Sequence, residues 1–176
     1  GMSWCLVALG CAALGMSACG GDGDTDVTSS GSVVRVDPPS FVLDVRSAID
    51  AVEAELGGPQ EFFEVTANAQ FTNVFVAVDD ATAAVGYLFV DGELQPPSPK
   101  REGATGKTFT AADVDFDPAL VTGGVANDLP TTTIDALSVY GDGFGAVFVL
   151  AATSAAGGFL DIEVGPGGDV RSVDPV

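Results

Sequence analysis

The sequence predicts an α+β fold in which an antiparallel sheet carries helices on one face. Two stretches have apolar residues at helical spacing, and short apolar stretches separated by turn residues follow each of them. Because short turns force neighbouring strands to pair antiparallel, the helices are left to cover one face of the sheet. This order of elements occurs twice, which predicts two tandem repeats of one helix and four strands.

An apolar stripe after Ser40 predicts the first helix. Its members follow alternating three- and four-residue spacing: Val42, Val45, Ile49, Val52 and Leu56. Such spacing places side chains on one face of a helix. Ser40 is a suitable N-cap, and Gly57-Gly58 is typical of a helix end.

The second helix is predicted to begin at Asp117-Pro118, where a capping residue precedes a proline at the first helical position. Three apolar residues continue its stripe: Val121, Val125 and Leu129. Gly123-Gly124 lies inside this helix and should weaken it by about 1 kcal/mol per glycine relative to alanine.

Four strands are predicted after each helix. They lie at 61–67, 71–78, 83–90 and 93–96 in the first half, and at 132–140, 144–151, 157–164 and 169–174 in the second. The breaks between them contain turn residues such as Asp91-Gly92. The halves also match in letters, since FTNVFV at 71–76 corresponds to FGAVFV at 144–149 with an offset of 73. The central strands are apolar on both faces, so the face without helices needs another cover.

This helix-plus-four-strand order, given twice, resembles the tandem repeats of β-lactamase inhibitor protein and the PepSY-type modules of secreted bacterial proteins. The resemblance covers residues 41–176, and it concerns topology alone. The inhibitor family's repeats carry disulfides, whereas residues 20–176 contain no cysteine. No inhibitory residue is therefore carried over.

The N-terminal run MSWCLVALGCAALGMSA, residues 2–18, has no charge and ends at Cys19. Its length is typical of the apolar and cleavage regions of a signal peptide and is marginal for a membrane span. Met16-Ser17-Ala18-Cys19 resembles the bacterial lipobox, and the whole chain resembles actinobacterial lipoproteins. The resemblance implies cleavage before Cys19, a covalent lipid on its sulfur and anchoring to the outer side of the cell membrane.

Two features depart from the lipobox pattern. Met16 replaces the usual leucine, and no lysine or arginine precedes the apolar run. The alternatives are a plain membrane anchor, a buried helix, and lipidation of Cys11 after Ala8-Leu9-Gly10.

These observations divide the chain into five segments. They are a signal peptide at 1–18, the lipidated cysteine with an acidic tether at 19–40, a first repeat at 41–96, a linker at 97–112 and a second repeat at 113–176. The last three are expected to form one compact domain.

The charge is strongly negative, with 25 acidic against 6 basic residues and a net charge of −19. Such a chain repels nucleic acid and anionic surfaces and suits a basic protein partner, although acidity also serves solubility alone. The sequence contains no histidine, so it has no Ser-His-Asp triad and lacks the commonest zinc ligand. We therefore expect neither enzymatic activity nor a cofactor other than the lipid on Cys19.

Asp113, Asp115 and Asp117 alternate with apolar residues. On a strand these carboxylates would share one face and could bind Ca²⁺. On a loop they would only be solvated, with Asp117 used as a helix cap. A calcium site is not predicted, because the spacing matches no known calcium loop.

The favoured hypothesis is a membrane-anchored, non-enzymatic binding module that presents its sheet to a protein partner, with restraint of a secreted enzyme as one form of this function. Four phenylalanines are predicted as the apolar anchors of that surface: Phe71, Phe75, Phe144 and Phe148. Aromatic centres with polar rims are typical of protein interfaces.

The alternative is a carrier of lipid or another apolar ligand. Its cavity would lie between the helices and the sheet, lined by Val45, Ile49 and Val52. A carrier needs a pocket of several hundred Å³, whereas a protein-binding module should be packed solid.

Overall fold

The computed structural model describes residues 34–176. The predicted signal peptide, the predicted lipidation site Cys19 and most of the predicted tether lie outside the described residues. Within the described part there are two α-helices, α1 (Ser40–Leu56) and α2 (Pro118–Asp128). Neither is both long enough and apolar enough to cross a membrane.

Ten strands form one antiparallel sheet, which confirms the predicted α+β class. They are β1 (Glu61–Asn68), β2 (Thr72–Val78), β3 (Ala83–Val90), β4 (Glu93–Leu94), β5 (Arg101–Glu102), β6 (Phe109–Thr110), β7 (Thr132–Gly141), β8 (Ala146–Ser154), β9 (Phe159–Val164) and β10 (Val170–Pro175). The sheet runs in the order β10-β9-β8-β7-β1-β2-β3-β4, with β5 paired to β3 and β6 paired to β1. The two halves thus share one sheet, and they join where β1 pairs with β7.

Helix α1 buries the predicted stripe as far as Val52, whereas Leu56 at its last turn is exposed. The residue that caps its N-terminus is Pro39, one position earlier than the predicted Ser40. At the other end Gly57 has a φ of 81°, and its N–H donates to the Glu53 carbonyl. Glycine adopts this left-handed conformation without steric cost, which is why the helix ends there.

Helix α2 begins as predicted at Asp117. The Asp117 carboxylate accepts hydrogen bonds from the N–H groups of Ala119 (3.0 Å) and Leu120 (3.3 Å). Proline follows at the first helical position, where its missing N–H costs nothing.

The two glycines inside α2 permit backbone contact on both sides of the helix. A Cβ added to Gly123 would lie 1.8 Å from the Val34 carbonyl oxygen, and one added to Gly124 would lie 1.7 Å from the Gly168 carbonyl oxygen. The entering chain therefore lies directly against α2, and Val36 N–H donates to the Ala119 carbonyl over 3.2 Å. The low helix propensity of these glycines is offset by packing that no larger residue allows.

Both helices pack on the same face of the sheet. One core cluster unites the buried stripe of α1, the Val121 and Val125 side chains of α2, and alternate sheet residues such as Val74 and Leu150. The residues between these on β2 and β8, such as Phe75 and Val149, do not belong to the cluster. Their side of the sheet is called the outer face below.

The predicted linker is bound to the sheet. Residues 95–108 are called the strap below; they run along the free side of β3 as far as Ala104 and then reach β7, where Lys107 pairs with Gly141. Ser98 N–H donates to the Gly86 carbonyl (2.8 Å), and Gly86 N–H donates to Ser98 Oγ (3.0 Å). Phe109 follows the strap, is 2% exposed, and contacts Phe62 with 5.8 Å between ring centroids. Non-local contacts therefore hold a segment that has no apolar periodicity of its own.

Both edges of the sheet are poor templates for a further strand. The strap, with Pro96, Pro97 and Pro99, covers the edge at β3. At the opposite edge Val176 N–H donates to the Phe159 carbonyl (3.1 Å), so by alternation the backbone of Pro175 faces away from β9. Proline has no N–H to donate there, which blunts the edge.

Acid should weaken the fold through Asp117. Burial opposes ionisation of this carboxyl, but N–H groups of α2 and the Arg35 guanidinium, 2.7 Å away, together hold its pKa below the ordinary 3.8. A lowered folded-state pKa contributes stability above pH 3.8, and this contribution is lost as the pH falls through the folded-state value. We expect Asp117→Asn, which keeps a capping side chain, to lower the Tm at neutral pH by an amount that shrinks in acid.

The comparison is thermal unfolding of both proteins from about pH 7 to about pH 3. Asp115→Asn, at an exposed neighbouring position, is the matched control for loss of one charge. A Tm difference for Asp117→Asn that stays constant over this range would contradict the assignment.

Candidate functional site

The centre of the outer face is built from small and polar side chains. Thr66 on β1 pairs with Ser138 on β7, and their hydroxyl oxygens are 3.2 Å apart. Asn73 on β2 and Val149 on β8 continue the same row to either side. Because these side chains are short and neither α1 nor α2 lies over them, the centre forms a shallow, half-exposed floor.

Carboxylates gather at one end of this floor. Asp161 on β9 lies directly opposite Asp174 on β10, and Glu163, two residues after Asp161, lies opposite Ser172. With Tyr140 they line a depression of about 260 Å³, called the acidic region below. Like charges directly opposite in a sheet are destabilising, so this arrangement lowers the stability of the free protein.

The pKa of Tyr140 reflects the negative charge of the acidic region. Burial raises the pKa of its phenol, and the charges of Glu163, Asp142 and Asp161 raise it further. The side chain is 40% exposed, so a neutral phenol with an apolar ring faces solvent among carboxylates. Arg171, 3.7 Å from Glu163, offsets part of the negative charge.

An exposed aromatic ring borders the acidic region. Phe159, two residues before Asp161 on the same side of β9, is 66% exposed. Interfaces are typically anchored by exposed aromatic side chains with polar groups around them. Phe159 and Tyr140 supply this combination beside the carboxylates.

The opposite end of the outer face holds an apolar groove. It has a volume of about 330 Å³ and is called the strap groove below; its walls include Phe75, Gly86, Leu88, Pro96 and Arg101. The Phe75 ring lies over Gly86, since a Cβ added there would approach Phe75 Cε1 to 3.3 Å. Arg101 adds one guanidinium to walls that are otherwise mostly apolar.

The structure does not bring the four predicted phenylalanine anchors together. Phe75 lies on the outer face, and Phe71 lies half-buried in the turn before β2. Phe144 is 99% exposed in the turn between β7 and β8. Phe148 is 3% exposed within the core, 5.1 Å from Phe116 between ring centroids. Phe148 is therefore unavailable to a partner.

A one-residue register difference explains this result. Phe75 points outward and Phe148 points toward the helices, although the offset of 73 places them at matching letters. Side chains alternate along a strand, so a match that is wrong by one residue exchanges the two faces. The two halves have the same residue types at these positions, but the side chains point to opposite faces of the sheet.

Four residues of these two depressions and their border were not predicted as site residues from the sequence: Tyr140, Phe159, Leu88 and Arg101. One signal for part of this set is present in the letters, since Leu160-Asp-Ile-Glu163 alternates apolar and acidic residues. That alternation predicts two carboxylates on the solvent face of one strand. The strands that pair with this one are set by non-local contacts, which the sequence does not reveal.

The three alternating aspartates do not share a strand face. Asp113 accepts two 2.8 Å hydrogen bonds from Thr110, which lower its pKa, and it completes the capping box of the 3₁₀ helix Ala111–Asp113, whose N-cap is Thr110. Asp117 caps α2, and Asp115 is exposed between them. Within residues 34–176 no three potential metal ligands converge.

Side chains of the α1 stripe lie in the helix–sheet interface. Val45, Ile49 and Val52, which the carrier hypothesis places on a cavity wall, are each 0% exposed and belong to the core cluster. The outer face, which the helices leave open, is therefore taken as the candidate site.

No protein-family model matches the sequence, and comparisons with curated proteins and with solved structures find no significant match. The class of protein is thus defined by the described geometry itself. Residues 34–176 form an α+β domain with a single antiparallel sheet, which their helices cover on one face and leave open on the other.

Proposed function

We propose that the protein is a membrane-anchored, extracytoplasmic binding module that docks a basic protein on the outer face of its sheet. The observation that carries this proposal is the acidic region, where Tyr140 stands among three carboxylates and exposed Phe159 borders them, on a face that the helices of residues 34–176 leave uncovered. Charge complementarity identifies the partner as basic, because the chain carries a net charge of −19. Restraint of a partner enzyme is one form that this docking would take.

The covered edge at β3 and the blunted edge at β10 support docking on the face. Partners commonly add a strand to an open edge, where main-chain groups are free. Here the strap occupies one edge, and Pro175 removes a donor from the other. The outer face is the remaining broad surface of the described sheet.

Anchoring through Cys19 would leave this face accessible. The chain enters the described domain on the helix side, where Arg35 pairs with Asp117 and Val34 contacts Gly123. The outer face lies on the opposite side of the sheet. Residues 34–36 therefore approach the domain from the side away from the outer face.

We also infer that the sheet consists of two tandem repeats, α1 with β1–β4 and α2 with β7–β10. The order of elements supports this division. The sheet path supports it as well, since the first strand of each half lies at the centre and the last lies at a rim.

The proposal predicts face-specific cross-linking to a basic protein in the native host. A photo-reactive phenylalanine analogue would replace Val149 on the outer face, or Leu43, which is 51% exposed on α1. We expect a discrete adduct from position 149 and none from position 43. The double charge reversal of Asp161 and Glu163 to lysine should reduce the adduct from position 149 by about tenfold or more, since it repels a basic partner.

The matched control reverses two exposed acids of α1, Asp50 and Glu55, to lysine. It makes the same change in net charge away from the outer face and should leave the adduct intact. Equal adducts from positions 149 and 43, or equal losses in both double variants, would refute docking on this face.

A further inference from the structure

The two depressions of the outer face differ in chemistry and stand at opposite ends of it. The acidic region offers carboxylates and a phenol, which suit a lysine or arginine side chain. The strap groove offers Phe75, Leu88 and Pro96 around a glycine floor, which suits an apolar side chain. Neither depression is enclosed, so each can receive a side chain from above but not a whole folded domain.

The separation of the two depressions follows from the strand order. Strand β9, which carries Asp161 and Glu163, is five strand positions from β3, which carries Leu88. At about 4.8 Å per strand the separation is about 24 Å. An extended chain rises about 3.3 Å per residue, so about seven residues span this distance.

The floor between the depressions leaves a path across the strands. Thr66, Ser138 and Asn73 are short, half-exposed and polar. Hydroxyl and amide groups can donate to or accept from the backbone of a chain that lies over them. The path therefore supplies hydrogen-bonding partners without large side chains that would obstruct it.

We propose that one extended segment of the basic partner, about eight residues long, crosses the outer face with a lysine or arginine in the acidic region and an apolar side chain in the strap groove. This inference rests on the proposed function and specifies how the partner is held. Arg101 repels the cationic side chain at the groove end, whereas Asp161 and Glu163 attract it at the other. The segment is therefore bound in one direction only.

The test uses two nine-residue peptides as probes. The first has phenylalanine at one end, two lysines at the other, and glycine and serine between them. The second has the same composition with phenylalanine next to the lysines. Each is titrated into the isotopically labelled 176-residue chain, and backbone amide shifts are followed by NMR in low salt.

The spaced peptide should shift amides of both the acidic region and the strap groove. It should bind about tenfold more tightly than the adjacent peptide, because its second contact becomes intramolecular. Leu88→Gln should remove this advantage and leave the adjacent peptide unaffected. Leu88→Ala, a milder change at a residue outside the core cluster, is the second variant if Leu88→Gln fails to fold.

Asp161→Asn with Glu163→Gln should weaken both peptides, because both place lysines in the acidic region. Shifts confined to the acidic region, with equal Kd values for the two peptides, would overturn the two-point inference and retain docking on the outer face. Shifts on α1 instead of the outer face, or no shifts with either peptide, would overturn both proposals.

Discussion

Replacing Phe109 by alanine is expected to destabilise the domain by about 3–5 kcal/mol. The sequence identifies residues 97–112 as a linker, from which a small effect would follow. In the structure Phe109 is 2% exposed, pairs with Phe62 across β6 and β1, and contacts its ring. Removing the side chain would leave a cavity beside the central strands, and the strap would lose its attachment at that end.

Urea unfolding of the alanine variant measures this effect. Phe144→Ala is the matched control, since it deletes the same ring at a position that is 99% exposed, and it should change stability by less than about 0.5 kcal/mol. Two equally small losses would show that Phe109 and the strap contribute nothing to the core.

Gly123→Ala is expected to destabilise the protein, although alanine is the better helix former by about 1 kcal/mol. The added Cβ would lie 1.8 Å from the Val34 carbonyl oxygen. Because that atom belongs to the backbone, the entering chain or α2 must move. Overpacking of this kind costs about 1–3 kcal/mol, which exceeds the gain in helix propensity.

Thermal and urea unfolding distinguish the two effects. Gly58→Ala is the control, because a Cβ there meets no atom within 4 Å. Gly124→Ala should act in the same direction as Gly123→Ala through the Gly168 carbonyl. A stabilised Gly123→Ala protein would show that the contact between residue 34 and α2 does not limit the packing of the helix.

The local elements were predicted well, because their signals lie within a few residues of each other. The cap at Asp117 followed by Pro118 identifies the start of α2, since a carboxylate can reach N–H groups only two or three positions ahead. The apolar stripe of α1 and the turn residues between strands are equally local. The eight principal strands accordingly appear close to their predicted positions.

The arrangement of side chains on the outer face could not be predicted from local sequence signals. Phe75 and Phe148 occupy matching positions of the two aligned halves, but strand pairing places Phe75 on the outer face and Phe148 in the core. The depression formed by Tyr140, Asp161 and Asp174 gathers residues from three strands. Which strands become neighbours depends on non-local pairing, and a single sequence contains no direct record of it.

The sequence alone shows an acidic chain without histidine, predicts its α+β class with the helix ends and strand breaks, and contains a segment at Cys19 that resembles a lipobox. Composition is read directly from the sequence, and capping and periodicity depend on residues a few positions apart. These properties can therefore be predicted without the tertiary structure. The side of the sheet that stays open, the place of the strap and the purpose of Gly123 and Gly124 emerge only in the folded chain. They depend on contacts between residues tens of positions apart, whose geometry is set when the sheet and helices pack together.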